Sequence, residues 1–308
     1  MDRYENLKQQ LQLACPNLTL LEWEPMCGHT SFQIGGPVRL MAIPASEAEL
    51  TAILQQGKKA EVLPYILGNG TNLLCQDEPT ECFVIKTSKG LNRLEILPEG
   101  TIYCGAGVLL SQVAAFALQH NLTGLEFASG IPGTLGGGIM MNAGAYGGEL
   151  KDVLVETHYL TPEGEKGIRR GEEQRLGYRT SSFVGGKEII IGGVLRLSPG
   201  KQEAIQARMG DLAWKRKSKQ PLEFPSAGST FKRPQGGFAA ALIDQCGLKG
   251  LTVGGAQVSE KHAGFVVNRG GATCADVIAL TDQIRAIVQE ETGVSLEMEV
   301  KRMPDRKS

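Results

Sequence analysis

Apolar residues that recur every three or four positions predict the helices of this chain. They place a first helix over 4–14, and Ser46 with Glu49 three residues later is a capping-box pattern for a second one. This second helix is expected to reach Gln55 and to stop at Gly57. By the same signals, further helices are predicted from Ser111 to Asn121, over 202–217, and from Thr273, with Asp276 as its cap partner, to Gly293.

Strict alternation or short continuous apolar runs predict the strands. The predicted strands cover 38–43, 65–67, 82–86, 101–104, 153–159 and 188–197. In the closing segment, the two faces of a further strand are predicted to carry Val294, Leu296, Met298 and Val300 on one side and Ser295, Glu297, Glu299 and Lys301 on the other. Residues 30–90 therefore predict a small β-α-β unit, followed by a strand-rich portion to about 197 and then an α+β region.

Glycine alternates with apolar bulk over residues 129–148. Glycine makes up 40 of the 308 residues, nearly twice the average of about 7%, and it lets another backbone or a ligand approach closely. Because apolar residues stand between the glycines, the segment favours a buried surface for a large flat ligand over a flexible linker. A set of tight turns in a folded core is the alternative. The candidate ligand contacts are Gly130, Ile131, Pro132, Gly133, Thr134, Gly136, Gly137, Asn142 and Gly144.

The turn at 68–72, Gly-Asn-Gly-Thr-Asn, follows the apolar strand predicted over 65–67. Successive backbone N–H groups in such turns form an anion-binding nest, to which Thr71 and Asn72 add donors, so a diphosphate suits it. No Gly-Lys-Ser/Thr follows and G-x-G-x-x-G is absent, which excludes a Walker loop and a Rossmann fingerprint. An ordinary β-turn is the alternative. The candidate contacts here are Gly68, Asn69, Gly70, Thr71, Asn72 and Leu73.

Charge and composition narrow the class of protein further. The formal net charge is -1, with 42% hydrophobic and 21% charged residues, which is typical of a globular protein and offers no field for nucleic acid. The basic run 215–219 ends a predicted helix, where cations are usually solvated. No apolar run approaches a membrane span, and we expect no membrane insertion. Seven scattered cysteines indicate reduced thiols in the cytoplasm, and the four histidines show no metal-ligand spacing.

A phosphate nest followed by a glycine-rich apolar cradle suits an elongated dinucleotide, and the pairing resembles the FAD-binding fold of the vanillyl-alcohol-oxidase type. The second half adds longer motifs. They occupy 30–32, 35–37, 178–183, 220–223, 226–234, 247–250, 255–268 and 296–300. Together they resemble the UDP-N-acetylenolpyruvoylglucosamine reductase (MurB) family over nearly all of 28–302. The resemblance implies an α+β fold: FAD-binding subdomains over 1–90 and 91–198, and an α+β substrate-binding domain over 199–308.

The resemblance also implies an oxidoreductase of peptidoglycan precursor synthesis, and so of cell wall biogenesis, cell shape and cell division. NADPH would reduce FAD and leave. We expect FAD to be bound non-covalently, because no histidine is placed for attachment. The substrate, UDP-N-acetylglucosamine enolpyruvate, would then take a hydride at the terminal carbon of its enolpyruvyl group and a proton at the adjacent carbon, giving UDP-N-acetylmuramate. We expect a cytoplasmic monomer without metal.

The family's catalytic roles fall on three residues of this chain. Arg179 would stabilise the negative charge that spreads into the substrate carboxylate, Ser229 would donate the proton, and Glu299 would assist through the enol form. The ordinary alternatives are a surface ion pair for Arg179 and a turn or helix cap for Ser229. Glu297 shares the predicted strand face of Glu299, and periodicity alone does not separate the two. The implied substrate contacts are Tyr178, Lys219 and Arg233.

Two other functions remain compatible with the sequence. An oxidase or dehydrogenase of the same FAD fold would share the first two regions but not the segments around Ser229 and Glu299. A non-catalytic sugar-nucleotide binding module is the second alternative.

The chain also departs from part of the family, because the stretch between Leu197 and Ser229 has no room for the added segment that covers the substrate with a tyrosine in some members. It therefore resembles the shorter class.

Overall fold

A computed structural model describes residues 2–304, and it contains seven α-helices within that range. Their bounds are α1 Arg3–Ala14, α2 Glu47–Lys59, α3 Leu110–Gln119, α4 Leu135–Met140, α5 Gln202–Lys219, α6 Ala239–Gln245 and α7 Cys274–Thr292. Local signals explain the best-defined ends. The Thr273 side chain accepts from the backbone of Asp276 in a capping box, and Gly293 ends α7 in the left-handed conformation with φ 72°. Both ends of α7 are confirmed as predicted.

The strands are short and numerous. Their bounds are β1 Thr19–Pro25, β2 Pro37–Ile43, β3 Pro64–Leu67, β4 Leu73–Cys75, β5 Thr80–Lys86, β6 Leu94–Leu97, β7 Thr101–Gly105, β8 Leu122–Thr123, β9 Gly144–Ala145, β10 Gly148–Glu149, β11 Leu154–Leu160, β12 Lys166–Arg170, β13 Ile189–Arg196, β14 Ser198–Pro199, β15 Thr252–Val253, β16 Ala256–Val258, β17 Val266–Asn268 and β18 Lys301–Met303. The six strands predicted between residues 38 and 197 all form, within a few residues of their expected ends.

The second helix does not stop where glycine predicted. Its Ser46 cap is confirmed, since the Ser46 hydroxyl accepts from the backbone N–H of Glu49. However, α2 continues through Gly57 to Lys59. Gly57 is buried, and a Cβ there would lie 3.0 Å from the Val62 carbonyl oxygen. Glycine therefore favours close packing at this point, where the chain returns over the helix.

The glycine-rich segment contains a helix that its composition disfavours. Three glycines lie in α4, and each costs about 1 kcal/mol relative to alanine in a helix interior. Close packing favours two of them. A Cβ on Gly136 would lie 2.9 Å from the Ala106 Cβ, and one on Gly138 would lie 2.9 Å from Leu150 Cδ1. Tertiary packing thus outweighs local propensity here.

The predicted closing strand forms only in part. Regular pairing is confined to β18, which runs parallel to β4, and an isolated bridge joins Met298 to Phe231. The alternation is nevertheless present in the burial, since Leu296 and Val300 are buried whereas Ser295 is exposed. The segment is extended and two-sided, but it lacks a continuous partner strand.

The described residues form two compact units, each with its own core. The first takes the residues up to Glu22, Leu40–Asn69 and Cys82–Lys215. It holds most of a four-stranded sheet of order β1-β2-β5-β3, in which β3 and β5 are parallel, and a five-stranded antiparallel sheet of order β12-β11-β13-β7-β6. Helices α1 to α4 supply buried residues to one continuous apolar core of this unit.

The second unit takes Trp23–Arg39, Gly70–Glu81 and the residues from Arg216 onward. Its core packs Phe32, Ile34 and Leu74 against the buried face of α7. A three-stranded antiparallel sheet, β15-β16-β17, and the β18-β4 pair lie in this unit. The three-segment division at 90 and 198 stays a prediction.

Candidate active site

The first half of the glycine-asparagine turn packs on the loop before α4, within the first unit. Gly68 follows β3, and a Cβ on it would lie 2.5 Å from Thr134 Oγ1. The Asn69 side chain donates from Nδ2 to the Pro132 carbonyl oxygen at 2.8 Å. The two predicted cofactor segments therefore meet, and a side chain at residue 68 would push them apart.

The loop at 130–134 is tied down on its inner side and open on the other. Gly133 accepts from the backbone N–H of Leu110 at 2.9 Å, and Ile131 packs against the core of the unit. Thr134 is buried and accepts from the backbone N–H of Gly137 as the cap of α4. Pro132 and Gly137 remain exposed. Pro132 and Gly137 are thus exposed on a segment whose neighbouring residues are held by packing and backbone bonds.

This cradle fits the dinucleotide that the sequence predicts. Within residues 2–304, the backbone N–H groups of Asn69, Gly130 and Gly133 have no acceptor in the chain. A Cβ on Gly137 would meet nothing closer than Thr134 Oγ1 at 3.6 Å. The unused N–H donors suit a diphosphate. The open surface at Gly137 leaves room for a flat ring.

Arg179 stands at the tip of a tight turn in the same unit. Gly177 and Thr180 bond to each other through both backbone amides, at 3.1 and 3.3 Å, so Tyr178 and Arg179 form the two-residue tip. Arg179 has φ 54°, which is uncommon for a residue other than glycine. Its guanidinium lies 5.3 Å from the centroid of the Tyr178 ring, and Tyr178 is 56% exposed. A cation is thus presented at a strained position, which is a frequent property of functional sites.

The structure places Asn142 and Gly144 inside the scaffold of the cradle. Asn142 is 1% exposed, and its amide bonds to Glu149, Gly177 and Lys151. A Cβ on Gly144 would lie 2.7 Å from the Glu149 Cβ across the β9-β10 pair. Both residues hold the loop after α4, and their predicted contact with a cofactor stays a prediction.

The rest of the glycine-asparagine turn belongs to the second unit. Gly70 has φ 62°, and a Cβ on it would lie 2.1 Å from the His29 carbonyl oxygen. The Asn72 backbone carbonyl accepts from Lys301, and its side chain donates to the Glu299 carbonyl oxygen at 3.3 Å. Thr71 is half-buried, whereas Leu73 is buried at the start of β4. This part of the turn is therefore joined to the chain around Glu299.

Ser229 is exposed, whereas the residue after it, Thr230, is buried and hydrogen-bonded. Gly228 before it has φ 78°, and Thr230 after it is 2% exposed. Thr230 donates its backbone N–H to Gly264 at 2.8 Å, and its hydroxyl accepts from Val266 at 2.9 Å. Thr230 was missed in the sequence, where its only signal is its position directly after Ser229. It fixes the backbone from which the Ser229 hydroxyl projects.

The structure distinguishes the two acidic residues that periodicity left equivalent. The Glu299 backbone N–H donates to the carbonyl oxygen of Thr230, the residue after Ser229, at 2.9 Å, and the Glu299 side chain is half-buried. Glu297 is exposed and forms an ion pair with Lys232, which lowers the pKa of the Glu297 carboxyl. Burial and the ion pair thus distinguish the two carboxylates, and the site role of Glu299 stays a prediction.

His262 contacts the loop at Gly264 and Phe265, to which the Ser229 segment is bonded through Thr230. Its Nδ1 accepts from the Gly264 backbone N–H at 3.2 Å, and its ring packs edge-on against Phe265 with centroids 4.9 Å apart. Burial lowers the pKa of His262. Because Gly264 also accepts from Thr230, a neutral His262 stabilises the loop behind Ser229.

The three proposed substrate contacts are all exposed. Tyr178 lies beside Arg179 in the first unit, whereas Lys219 ends α5 and Arg233 follows the Ser229 segment in the second. The Arg233 guanidinium lies 4.1 Å from the centroid of the Phe238 ring, and Phe238 is itself 58% exposed. These two residues offer a cation and an aromatic face together.

Three further features bear on the class of site. No group of three His, Cys, Asp or Glu side chains within residues 2–304 is arranged to hold a metal ion. None of the seven cysteines, all of which the structure describes, forms a disulfide. In the same described range, every helix is too short or too polar to cross a membrane.

Comparison with known proteins identifies the family of this chain. The family model for the UDP-N-acetylenolpyruvoylglucosamine reductase C-terminal domain matches residues 220–303, and the model for an FAD binding domain matches residues 38–166. The UDP-N-acetylenolpyruvoylglucosamine reductase of Syntrophomonas wolfei is 46% identical over 278 residues, which cover 90% of this chain and 93% of that protein. The reductase of the same name from Geobacillus thermodenitrificans is 45% identical over 302 residues, covering 98% of each chain.

The fold comparison agrees with the sequence comparison. The crystal structure of UDP-N-acetylenolpyruvylglucosamine reductase (MurB) from Thermus caldophilus has a TM-score of 0.78 and 33% identity, covering 94% of this chain and 99% of that one. The predicted fold class, an FAD-binding fold joined to an α+β domain, is confirmed, and so is the resemblance on which it rested.

Proposed function

Because the chain belongs to the UDP-N-acetylenolpyruvoylglucosamine reductase family, we propose that it reduces UDP-N-acetylglucosamine enolpyruvate to UDP-N-acetylmuramate with electrons from NADPH. Family membership makes the protein an FAD-dependent oxidoreductase of peptidoglycan precursor synthesis. The reductant, the site of the reaction in the cytoplasm and the residue roles below belong to the proposal. The observation that supports it is the backbone bond from Glu299 to Thr230, the residue that follows Ser229.

FAD would be held without a covalent bond by the cradle at 68–69 and 130–137. Its diphosphate would use the free N–H donors of Asn69, Gly130 and Gly133, and its ring would lie along the exposed surface near Gly137. When bound, FAD supplies the hydride that is transferred to the substrate. The cradle residues bind and orient the cofactor.

Arg179 stabilises the charge that develops on the substrate. Addition of a hydride to the terminal carbon of the enolpyruvyl group leaves an electron pair that spreads into the substrate carboxylate. A guanidinium forms two parallel hydrogen bonds to a carboxylate, and its charge is permanent. Holding Arg179 at the strained tip of the 177–180 turn places that charge before the reaction begins, which is the condition for strong transition-state stabilisation.

Ser229 then protonates the adjacent carbon. The Ser229 O–H bond breaks as the new C–H bond forms, so the serine must regain a proton before the next cycle. A free hydroxyl is a weak acid, and this role requires a site closed to water and a neighbouring group that shares protons. Glu299 is proposed as that group, acting on the enol form of the substrate. Tyr178, Lys219 and Arg233 are proposed to bind the nucleotide end.

Spectroscopy of the purified protein tests the proposal directly. The protein should carry flavin absorbance, lose it on anaerobic addition of NADPH, and regain it when UDP-N-acetylglucosamine enolpyruvate is added. Recovery with oxygen but not with the enolpyruvyl substrate would identify an oxidase or dehydrogenase of the same fold. A colourless protein that consumes no NADPH would support a non-catalytic binding module.

Ser229→Ala separates the two half-reactions. Flavin reduction by NADPH should stay within about twofold of the native rate, because the serine acts only on the second substrate. Reoxidation by the enolpyruvyl substrate should slow by about 10²–10⁴-fold, the usual contribution of a positioned proton donor. Equal losses in both half-reactions would make Ser229 a structural residue.

A further inference from the structure

We infer that Asn142 is a positioning residue for Arg179, joining the cofactor cradle to the turn that carries the arginine. This inference rests on the proposed role of Arg179. All of the residues involved lie in the first unit.

Asn142 uses its whole side-chain amide within the protein. Nδ2 donates to Glu149 Oε2 at 2.7 Å and to the Gly177 carbonyl oxygen at 3.1 Å, and Oδ1 accepts from the Lys151 backbone N–H at 2.9 Å. An amide offers two donor hydrogens, and both are engaged. With 1% exposure and no free donor, Asn142 acts as a cross-link between three loops.

The bond to Gly177 reaches the base of the Arg179 turn. Gly177 also bonds through its backbone to Thr180, so fixing Gly177 fixes the frame from which Arg179 projects. A second tie comes from the same side, since the Ser181 hydroxyl donates to the Met140 carbonyl oxygen at 3.0 Å. Met140 ends α4, two residues before Asn142. The turn is therefore held on both flanks, by the last residue of α4 and by the chain that follows α4.

Such ties matter because Arg179 itself is strained. A left-handed arginine with φ 54° persists only when its surroundings impose the conformation. Without the Asn142 amide, the Gly177 carbonyl loses a buried partner and one flank of the turn is released. A misplacement of about 1 Å in a charged group can cost on the order of 10²-fold in rate. The expected defect lies in the reaction that needs the arginine.

Asn142→Gly removes the side chain at little backbone cost. Asn142 has φ 42°, a conformation that glycine adopts freely. Asn142→Asp is the second variant, since it keeps the acceptor for Lys151 and loses the donors to Gly177 and Glu149. The matched control is Asn121→Gly, because Asn121 is also left-handed, with φ 55°, and its side chain is exposed.

Two rates are measured on each FAD-loaded variant by stopped-flow absorbance. For Asn142→Gly and Asn142→Asp, we expect flavin reduction by NADPH within about threefold of native and reoxidation by UDP-N-acetylglucosamine enolpyruvate slowed by about 10–100-fold. Asn121→Gly should change neither rate by more than about twofold. A general structural role would lower FAD retention and both rates together, and that result would overturn the inference.

A double-variant comparison tests whether Asn142 acts through Arg179. In an Arg179→Ala background, adding Asn142→Gly should slow reoxidation by less than about threefold, since the residue to be positioned is gone. A full additional loss in that background would overturn the inference, as would native reoxidation in Asn142→Gly. If Arg179→Ala alone leaves reoxidation unchanged, the proposed role of Arg179 fails and the inference fails with it. If reoxidation is slowed in Arg179→Ala but in neither Asn142 variant, the inference about Asn142 is refuted and the proposed role of Arg179 is kept.

Discussion

Gly68→Ala is the most direct test of how closely the two halves of the cofactor cradle are packed. The new Cβ would lie 2.5 Å from Thr134 Oγ1, well inside the contact distance of two such atoms. Thr134 is 1% exposed and caps α4, so its hydroxyl cannot swing into solvent. Relief requires giving up the cap, which is worth about 0.5–2 kcal/mol. A side chain held off its rotamer adds about 0.5–1.5 kcal/mol.

We therefore expect Gly68→Ala to lower the free energy of unfolding by about 1–3.5 kcal/mol. Thr134→Ala alone should cost about 1 kcal/mol for the lost cap. The double variant should cost no more than Thr134→Ala, because the next atom, Thr134 Cβ, would be at an ordinary 3.7 Å. Gly28→Ala is the control, since a Cβ there would meet nothing within 4 Å.

The assay is equilibrium urea unfolding of the four variants and the native protein at one fixed FAD concentration. If the free energy of unfolding of Gly68→Ala lies within about 0.5 kcal/mol of the native value, the loop around Thr134 accommodates the new Cβ at little cost. That result would refute the prediction. Full additivity of the two substitutions would refute it as well, because the clash would then involve atoms other than the Thr134 hydroxyl.

Three further outcomes are expected. Glu299→Gln should slow reoxidation by the enolpyruvyl substrate by at least about tenfold, whereas Glu297→Gln, an exposed matched control, should stay within about twofold; the reverse order would reject the assignment of Glu299. Because burial lowers the pKa of His262 below its ordinary 6.5, protonation favours the unfolded chain. Thermal stability should thus be complete above pH 6.5 and fall as the pH decreases below it, less steeply in His262→Gln; parallel pH profiles would contradict this. Thr273→Ala should cost about 1 kcal/mol in urea unfolding through loss of the α7 cap, and an unchanged midpoint would show that the capping box contributes nothing.

Elements with strong local signals were predictable because their causes are local. The capping box of Thr273 and the left-handed Gly293 act within one helical turn, so the sequence around them is sufficient. The Ser229 segment was found from its motif. In contrast, α4 was missed and α2 was ended too early, because the reasons for their glycines are contacts with Ala106 and Val62, which are distant in the chain or return upon it.

The sequence by itself determined the family, the fold class and the identity of the candidate residues, since these follow from the order of residue types along the chain. Only the tertiary structure decided how the candidates differ from one another. Glu297 and Glu299 are equivalent in a period of two, and what separates them is an ion pair with Lys232 and a backbone bond to Thr230. Likewise, Asn142 is one asparagine among several until its amide is seen to join three loops. Long-range contacts carry that information, because packing brings together residues whose spacing in the sequence is unrelated to their distance in space.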